Sequence, residues 1–407
     1  MRKLLSSLLF LFTFLIACSP SPASTVTPST PVPSIVLPTP PACTALQVEP
    51  TPGVETPSLF PPESEADHVR GADDPLLTIT EYSDYQDLRS GLLAEALDRL
   101  LEEQAAEVRV VSRLFPLLAV NDKAALAAQA AEAAGEQDRF WEMHELLYTQ
   151  QENWIQLSVA DFEQWLRAQV SALGMDTDQF EADLKREDIV TKVQESWESG
   201  QKIGLPGTPL ILINGQIYGG PRDYNSLNEI LQLIVLGKRQ YTSCPAVTVQ
   251  PNKQYIATLH TQKGNVVIQL FADKAPMTVN SFLFLVREGW YDNITFHRVI
   301  PGLFAQTGDP SGTGKGNPGY YIITEIDPEL TFDKPGMVAM VNSGPDTSGS
   351  QFFITYAPIA EYSGKYTIFG EVLSGREILE QLSPRDAQPG TDTPPGDKLI
   401  SITVEEK

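Results

Sequence analysis

An arginine set among apolar residues on a strand is the first candidate for chemistry in this 407-residue chain. The first half of the stretch from Phe296 to Asp309 mixes apolar with polar side chains and reads as a strand with one buried face, which Pro301-Gly302 breaks. A guanidinium planted there costs free energy unless it meets a partner or a ligand, so Arg298 reads as a donor with something to hold. The second candidate set is sulfur. Three cysteines are present, and if Cys18 belongs to an N-terminal leader, Cys43 and Cys244 remain as an even pair. In an exported protein that pair suits a disulfide; two free thiols or an intermolecular link are the alternatives. His144 lies among apolar helix residues and reads as a packed core histidine rather than a ligand.

The elements that must position these residues divide the chain. At this length one core is too few, and two domains with connectors are expected. The net charge of −23, from 29 basic against 52 acidic residues, argues against nucleic acid and anionic lipid headgroups as partners. Arg2 and Lys3 precede an apolar run at 4–17, too short to span a bilayer, so 1–18 reads as a signal peptide. Residues 19–67 are Pro/Ser/Thr-rich, with 13 of the 32 prolines between 19 and 62, and are expected to form an extended spacer. The next region, 68–240, begins with a strand at 76–81 and a helix at 90–103, the latter with Leu92, Leu93, Ala96, Leu97 and Leu100 inward. A strand at 107–114, helices across 122–200 and a strand after Pro209 complete a parallel or mixed α/β sheet. From 250 to 407 the pattern changes. Strands at 255–260 and 265–271 flank a Gln262-Lys263-Gly264 turn, and a helix at 275–288 turns Phe282, Leu283 and Val286 inward. Short strands with Gly/Pro turns follow, as in an all-β closed barrel.

Three motifs identify the second region. The stretch from Phe296 to Asp309, the run Gly308-Asp309-Pro310-Ser311-Gly312-Thr313-Gly314, and Gly349-Ser350-Gln351-Phe352-Phe353-Ile354 resemble, in this order, cyclophilin-type peptidyl-prolyl isomerases. The resemblance implies an eight-stranded antiparallel barrel capped by two helices, and an enzyme that turns X-Pro bonds. Such a reaction twists the amide through a barrier of ~18–20 kcal/mol without making or breaking a bond, so it calls for no cofactor and no metal. By the resemblance, Arg298 is the catalytic donor toward the amide nitrogen, whose lone pair localises as resonance is lost. Gln306 contacts substrate backbone and orients the arginine, Phe353 walls the proline cup, and Asn342 and Gln351 line the adjoining groove. Phe296, Leu303, Phe304 and Tyr366 complete the substrate-binding set. Three positions depart from the family pattern: Leu303 and Phe304 stand where Phe and Met are usual, Glu361 beside Tyr362 replaces a common Trp, and Tyr366 replaces a His.

The first folded region resembles the DsbA-like thioredoxin-fold oxidoreductases through Glu81-Tyr82-Ser83-Asp84-Tyr85-Gln86, Phe140-Trp141-Glu142-Met143-His144 and Gly207-Thr208-Pro209. The family's Cys-x-x-Cys pair is replaced by Asp87-Leu88-Arg89-Ser90, so dithiol exchange is excluded by this route. Asp87 and Arg89 read as solvated helix-start residues, and Pro209 matches the family's cis proline. Leu15-Ile16-Ala17-Cys18 resembles the lipobox of bacterial lipoproteins, which implies lipidation at Cys18. The expectation is a monomeric lipid-anchored extracytoplasmic isomerase, at the cell surface or in the periplasm, acting on proline-containing segments of unfolded or partly folded exported proteins. A non-catalytic peptide-binding chaperone or scaffold lipoprotein is the alternative.

Overall fold

The computed structural model describes residues 42–46, 59–386 and 394–407. The expected leader with Cys18, and most of the expected spacer, lie outside the described residues. In chain order, strand β1 (Cys43–Ala45) precedes β2 (His68–Gly71), β3 (Leu77–Ser83), helix α1 (Leu88–Gln104) and β4 (Val108–Leu114). Six helices follow: α2 (Ala124–Gly135), α3 (Phe140–Thr149), α4 (Gln151–Trp154), α5 (Val159–Ala172), α6 (Thr177–Asp183) and α7 (Glu187–Lys202). Strands β5 (Leu210–Ile213) and β6 (Gln216–Tyr218) and helix α8 (Tyr224–Gly237) close the region. The sheet order is β2-β4-β3-β5-β6, mixed, with β3 and β4 its parallel pair. Leu77 and Ile79 of β3 and Val108 and Val110 of β4 alternate inward against Leu93, Leu97 and Leu100 of α1 and Leu227 and Leu231 of α8. Leu92 corrects the expected stripe: it is exposed, because it is rotated by about 100° from neighbouring Leu93 on a 3.6-residue helix. A second core collects under the alanine-rich α2, whose short side chains let α3, α6 and α7 approach closely.

The spacer expectation also needs correction. Its described parts are built into the folded body and form a single compact unit with both regions. Cys43 is disulfide-bonded to Cys244, and β1 pairs antiparallel with β12 (Tyr320–Ile322) of the second region. At 59–67, Arg113 donates to the carbonyls of Pro61 and Pro62, each at 2.8 Å, and pairs with Asp67. Prolines have carbonyls to offer but no N–H, and a five-donor guanidinium suits such a segment.

The second region comprises β7 (Tyr255–Thr261), β8 (Gly264–Leu270), α9 (Pro276–Arg287), β9 (Ile294–Thr295), β10 (Arg298–Ile300), β11 (Phe304–Thr307), β12, β13 (Met337–Met340), β14 (Phe352–Thr355), β15 (Ile368–Ser374), α10 (Arg376–Leu379), β16 (Arg385–Asp386) and β17 (Lys398–Glu406). Ten of these strands form one antiparallel sheet in the order β16-β10-β11-β14-β13-β15-β8-β7-β17-β9. The sheet is a curled antiparallel half-barrel, consistent with the expected cyclophilin fold, and no ladder bonds join β9 to β16 among the described residues. Yet β9 and β10, near opposite ends of that order, are separated in the chain only by Phe296 and His297. The sheet must therefore curl until its two ends lie together. Its inner face holds Val266, Ile268, Phe282, Leu285, Phe352 and Phe369; a smaller apolar cluster sits on the outer face.

Candidate active site

Strand register builds the site. In the antiparallel ladder Arg298 lies opposite Gln306, Gln306 opposite Phe353, and Phe353 opposite Ala339. Directly opposed residues share a face, so Arg298, Gln306 and Phe353 form one row on the outer side of the sheet. The turn at Pro301-Gly302-Leu303 fixes the first pairing, with the Leu303 N–H donating to the Ile300 carbonyl and Gly302 at φ 73°. Phe296 is not part of this row. It is fully buried in the inner core, because the chain leaves strand geometry at Phe296-His297 and the alternation restarts at Arg298. Its expected contact with substrate is withdrawn.

Arg298 is not an arginine buried in an apolar strand. Its side chain is 48% exposed, its Nε donates to Asp386 Oδ1 at 2.8 Å, and its guanidinium carbon stands 5.3 Å from the centre of the Phe304 ring. Neither Nη has a partner among the described residues. Asp386 comes from β16, directly opposite Arg298, and nothing in the local sequence around Arg298 signals it.

Gln306 is buried and oriented by its amide. Its Nε2 donates to Gln351 Oε1 at 3.0 Å and to His297 Nε2 at 3.1 Å, which leaves its Oε1 without a described partner. As acceptor, His297 is assigned the neutral tautomer with the proton on Nδ1; burial pulls its pKa down to about 4. Gln351, expected in the groove, has a positioning part instead: its Nε2 donates to the carbonyls of Gly314 and Gly316. That loop is wound around the buried Asp309, whose carboxylate accepts from Ser311 N and Oγ, Thr313 Oγ1 and the Gly314 and Gly316 N–H groups.

The apolar cup stands beside the row. Phe353 lies 5.6 Å from Phe304 and stacks on Phe332 at 5.8 Å, while Tyr362 and Tyr366 present edges to it at 5.9 and 5.4 Å. Leu303 is half-buried at the rim of the same cluster, so Phe304 supplies an aromatic ring one residue from the position where the family pattern has its Phe. Asn342 donates to the Lys365 carbonyl at 3.0 Å and accepts from Gly344, tying off the loop beside the cup. Among the described residues the arrangement offers two guanidinium nitrogens and one amide oxygen without partners, next to an aromatic hollow.

Residues 256–404 match the family described as cyclophilin type peptidyl-prolyl cis-trans isomerase/CLD, and 63–232 match thioredoxin. Peptidyl-prolyl cis-trans isomerase A of Mycobacterium tuberculosis is 42% identical over 179 residues, covering 40% of this chain and 98% of that protein. The chain belongs to the cyclophilin-type peptidyl-prolyl cis-trans isomerases. The B isomerase of Streptomyces anulatus is likewise 42% identical, over 38% of this chain and 98% of its own. A solved cyclophilin of Cryptosporidium parvum shares 34% identity over 38% of this chain and 98% of that one, with a TM-score of 0.34. A cyclophilin-type isomerase is an enzyme for proline-containing peptides, and here it is preceded by a thioredoxin-like domain.

That preceding domain holds no thiol at its helix start. Asp87 is the N-cap of α1 and is not simply solvated, as first read: its carboxylate accepts from Arg89 N and, at 2.8 Å, from Thr208 Oγ1 beside the cis Thr208-Pro209 bond. Arg89 is exposed. His144 is buried, its Nδ1 hydrogen-bonded with the Tyr85 hydroxyl at 3.0 Å, and burial lowers its pKa to about 3.

Proposed function

We propose that this cyclophilin isomerises X-Pro bonds in exported proteins and assists their folding from a lipid-anchored position outside the cytoplasm, with Arg298 as the catalytic donor. The cross-strand row of Arg298, Gln306 and Phe353 carries the catalytic part of this reading. The proline ring enters the hollow between Phe353, Phe304 and Tyr366, and Leu303 borders it. Gln306 Oε1 accepts from a substrate backbone N–H, and Asn342 borders the path of the peptide. The Nη groups of Arg298 meet the amide nitrogen as its lone pair localises, a contact stronger in the twisted state than in the planar one. One such donor is worth about 3–4 kcal/mol, or two to three decades in rate. Arg298→Ala is expected to lose at least about ten-fold in kcat/KM in a protease-free isomerisation assay, with the circular dichroism of the barrel retained. A wild-type rate in that variant sinks the catalytic assignment.

The export and anchoring part is supported by Leu15-Ile16-Ala17-Cys18 after a short apolar leader, and by the Cys43–Cys244 disulfide, which suits an oxidising compartment. Cys18→Ser is expected to move the protein from the membrane pellet to the soluble fraction. Retention of the variant in salt-washed membranes contradicts the lipid anchor.

A further inference from the structure

The glycine-rich loop that orients the site is gripped from both sides, and its outer grip comes from outside the cyclophilin domain. Between Ser311 and Gly319 the loop carries Gly312, Gly314, Gly316 and Gly319, three of them at positive φ (69°, 77° and 89° for 312, 314 and 319). Such a segment has little rigidity of its own. On the inner side Asp309 and Gln351 hold it, and Gln351 in turn receives the Gln306 amide.

On the outer side the thioredoxin-like domain, the few residues that follow it, and the segment of β1 with Leu46 supply contacts of their own. Glu229 of α8 pairs with Lys315. Leu236, also of α8, is buried in the isomerase core and closes on Gly316, where an added Cβ would meet Asp309 Oδ1 at 2.0 Å and the Leu236 side chain at 2.5 Å. Gln240 Nε2 donates to the Asn317 carbonyl and its Oδ1, each at 3.1 Å, and Tyr241 N–H to the Pro318 carbonyl at 2.9 Å. Leu46 N–H donates to the Gly319 carbonyl at 2.8 Å, next to the ladder that β1 makes with β12. The disulfide from Cys43 to Cys244 secures β1 to the chain just beyond α8.

We propose that the thioredoxin-like domain and the disulfide-tied strand β1 act as an outer clamp on the loop, with Gln240 and Leu236 as positioning residues that hold Gln306 in place through Gly314, Gly316 and Gln351. This gives the thiol-free domain a function in the isomerase reaction, and it rests on the reading of Gln306 as a substrate contact. Among the described residues Gln306 makes no hydrogen bond to Arg298, which Asp386 holds instead, so its part is that of a substrate-backbone acceptor that binds the planar and the twisted state alike. Loosening it therefore raises KM and leaves kcat, whereas a loss of folded enzyme lowers kcat and leaves KM.

The test uses the full chain as wild type and as Cys43→Ser/Cys244→Ser, each with and without reductant, as Gln240→Ala, as Gln306→Ala, and with the clamp changes combined with Gln306→Ala. Amide hydrogen exchange at Gly312, Gly314 and Gly316 is read beside KM and kcat for a proline peptide. The reduced, double-serine and Gln240→Ala forms are expected to exchange faster in the loop and to show KM raised about five-fold with kcat within about two-fold. Reductant is expected to change nothing further in the double-serine form, and none of these changes adds to Gln306→Ala. A raised KM in Gln306→Ala beside an unchanged KM in the clamp variants overturns the clamp. A fall in kcat at unchanged KM overturns it too, since that is loss of folded enzyme. An unchanged KM in Gln306→Ala overturns the reading of Gln306, and the positioning claim with it.

Discussion

The two folded regions each place polar side chains where their families do chemistry, and they differ in what those side chains have left to give. At the start of α1, Asp87 spends one oxygen on the Arg89 N–H and the other on the Thr208 and Ser90 hydroxyls. His144 and Tyr85 satisfy one another. On the outer face of the isomerase sheet, Arg298 spends only its Nε and Gln306 only its amide nitrogen among the described residues, so donors and an acceptor remain there beside an apolar hollow. A fold can keep the geometry of a site after its reactive group is gone. What separates working chemistry from scaffolding is the hydrogen-bonding capacity that the protein does not consume itself.

The largest expected effect tests whether the buried acid of the first domain belongs to the scaffolding. Glu81 of β3 is fully buried, and burial pushes its pKa from the ordinary 4.5 up to about 7. Below pH 4.5 the carboxyl is neutral in both folded and unfolded chains, and its contribution to stability is intact. From pH 4.5 up to about 7 the unfolded chain gives up this proton while the folded domain keeps it, so stability falls by about 3 kcal/mol across that window and the loss is complete once pH has passed the folded value. Glu81→Gln is expected to be the more stable form by up to that amount near pH 8 and no different near pH 4. Urea unfolding followed by tryptophan emission reads this, since four of the five tryptophans lie in that domain. Isomerisation is expected to be unchanged, and an isomerase defect in a folded Glu81→Gln protein breaks the comparison.

Asp386 sharpens the other side. Holding Arg298 by Nε leaves both Nη atoms for substrate, so Asp386→Ala is expected to lower kcat/KM about five-fold while Asp386→Asn, which keeps an acceptor oxygen, retains most of it. Equal rates in all three would reduce the pair to a surface ion pair of little worth. The smallest effect concerns His297. With its pKa near 4 it stays neutral through physiological pH, and kcat/KM is expected to be flat from about pH 6 to 9. An inflection near pH 6.5 would place a protonating imidazole in the site.

Much of this site was legible locally. A hairpin about Gly302 brings together residues equidistant from the turn, and Arg298 and Gln306 are four residues to either side. The motifs around Phe353 named the cup, and the absent thiols at 87–90 were visible directly. The motif around Arg298 does not reveal that the strand breaks at Phe296-His297, which sends Phe296 into the inner core. Asp87 was misread because its partner, Thr208, is 121 residues away.

By its sequence alone this chain determined what depends on near neighbours: two domains of different period, the turn that aligns Arg298 with Gln306, and the lack of a dithiol. Tertiary structure decided what depends on long-range pairing. Asp386 meets Arg298 from 88 residues away, Gln351 is committed to the glycine-rich loop, and spacer residues 43–45 become a strand on the isomerase. Hydrogen-bond partners at such separations are set by sheet order and domain docking, which no local pattern encodes.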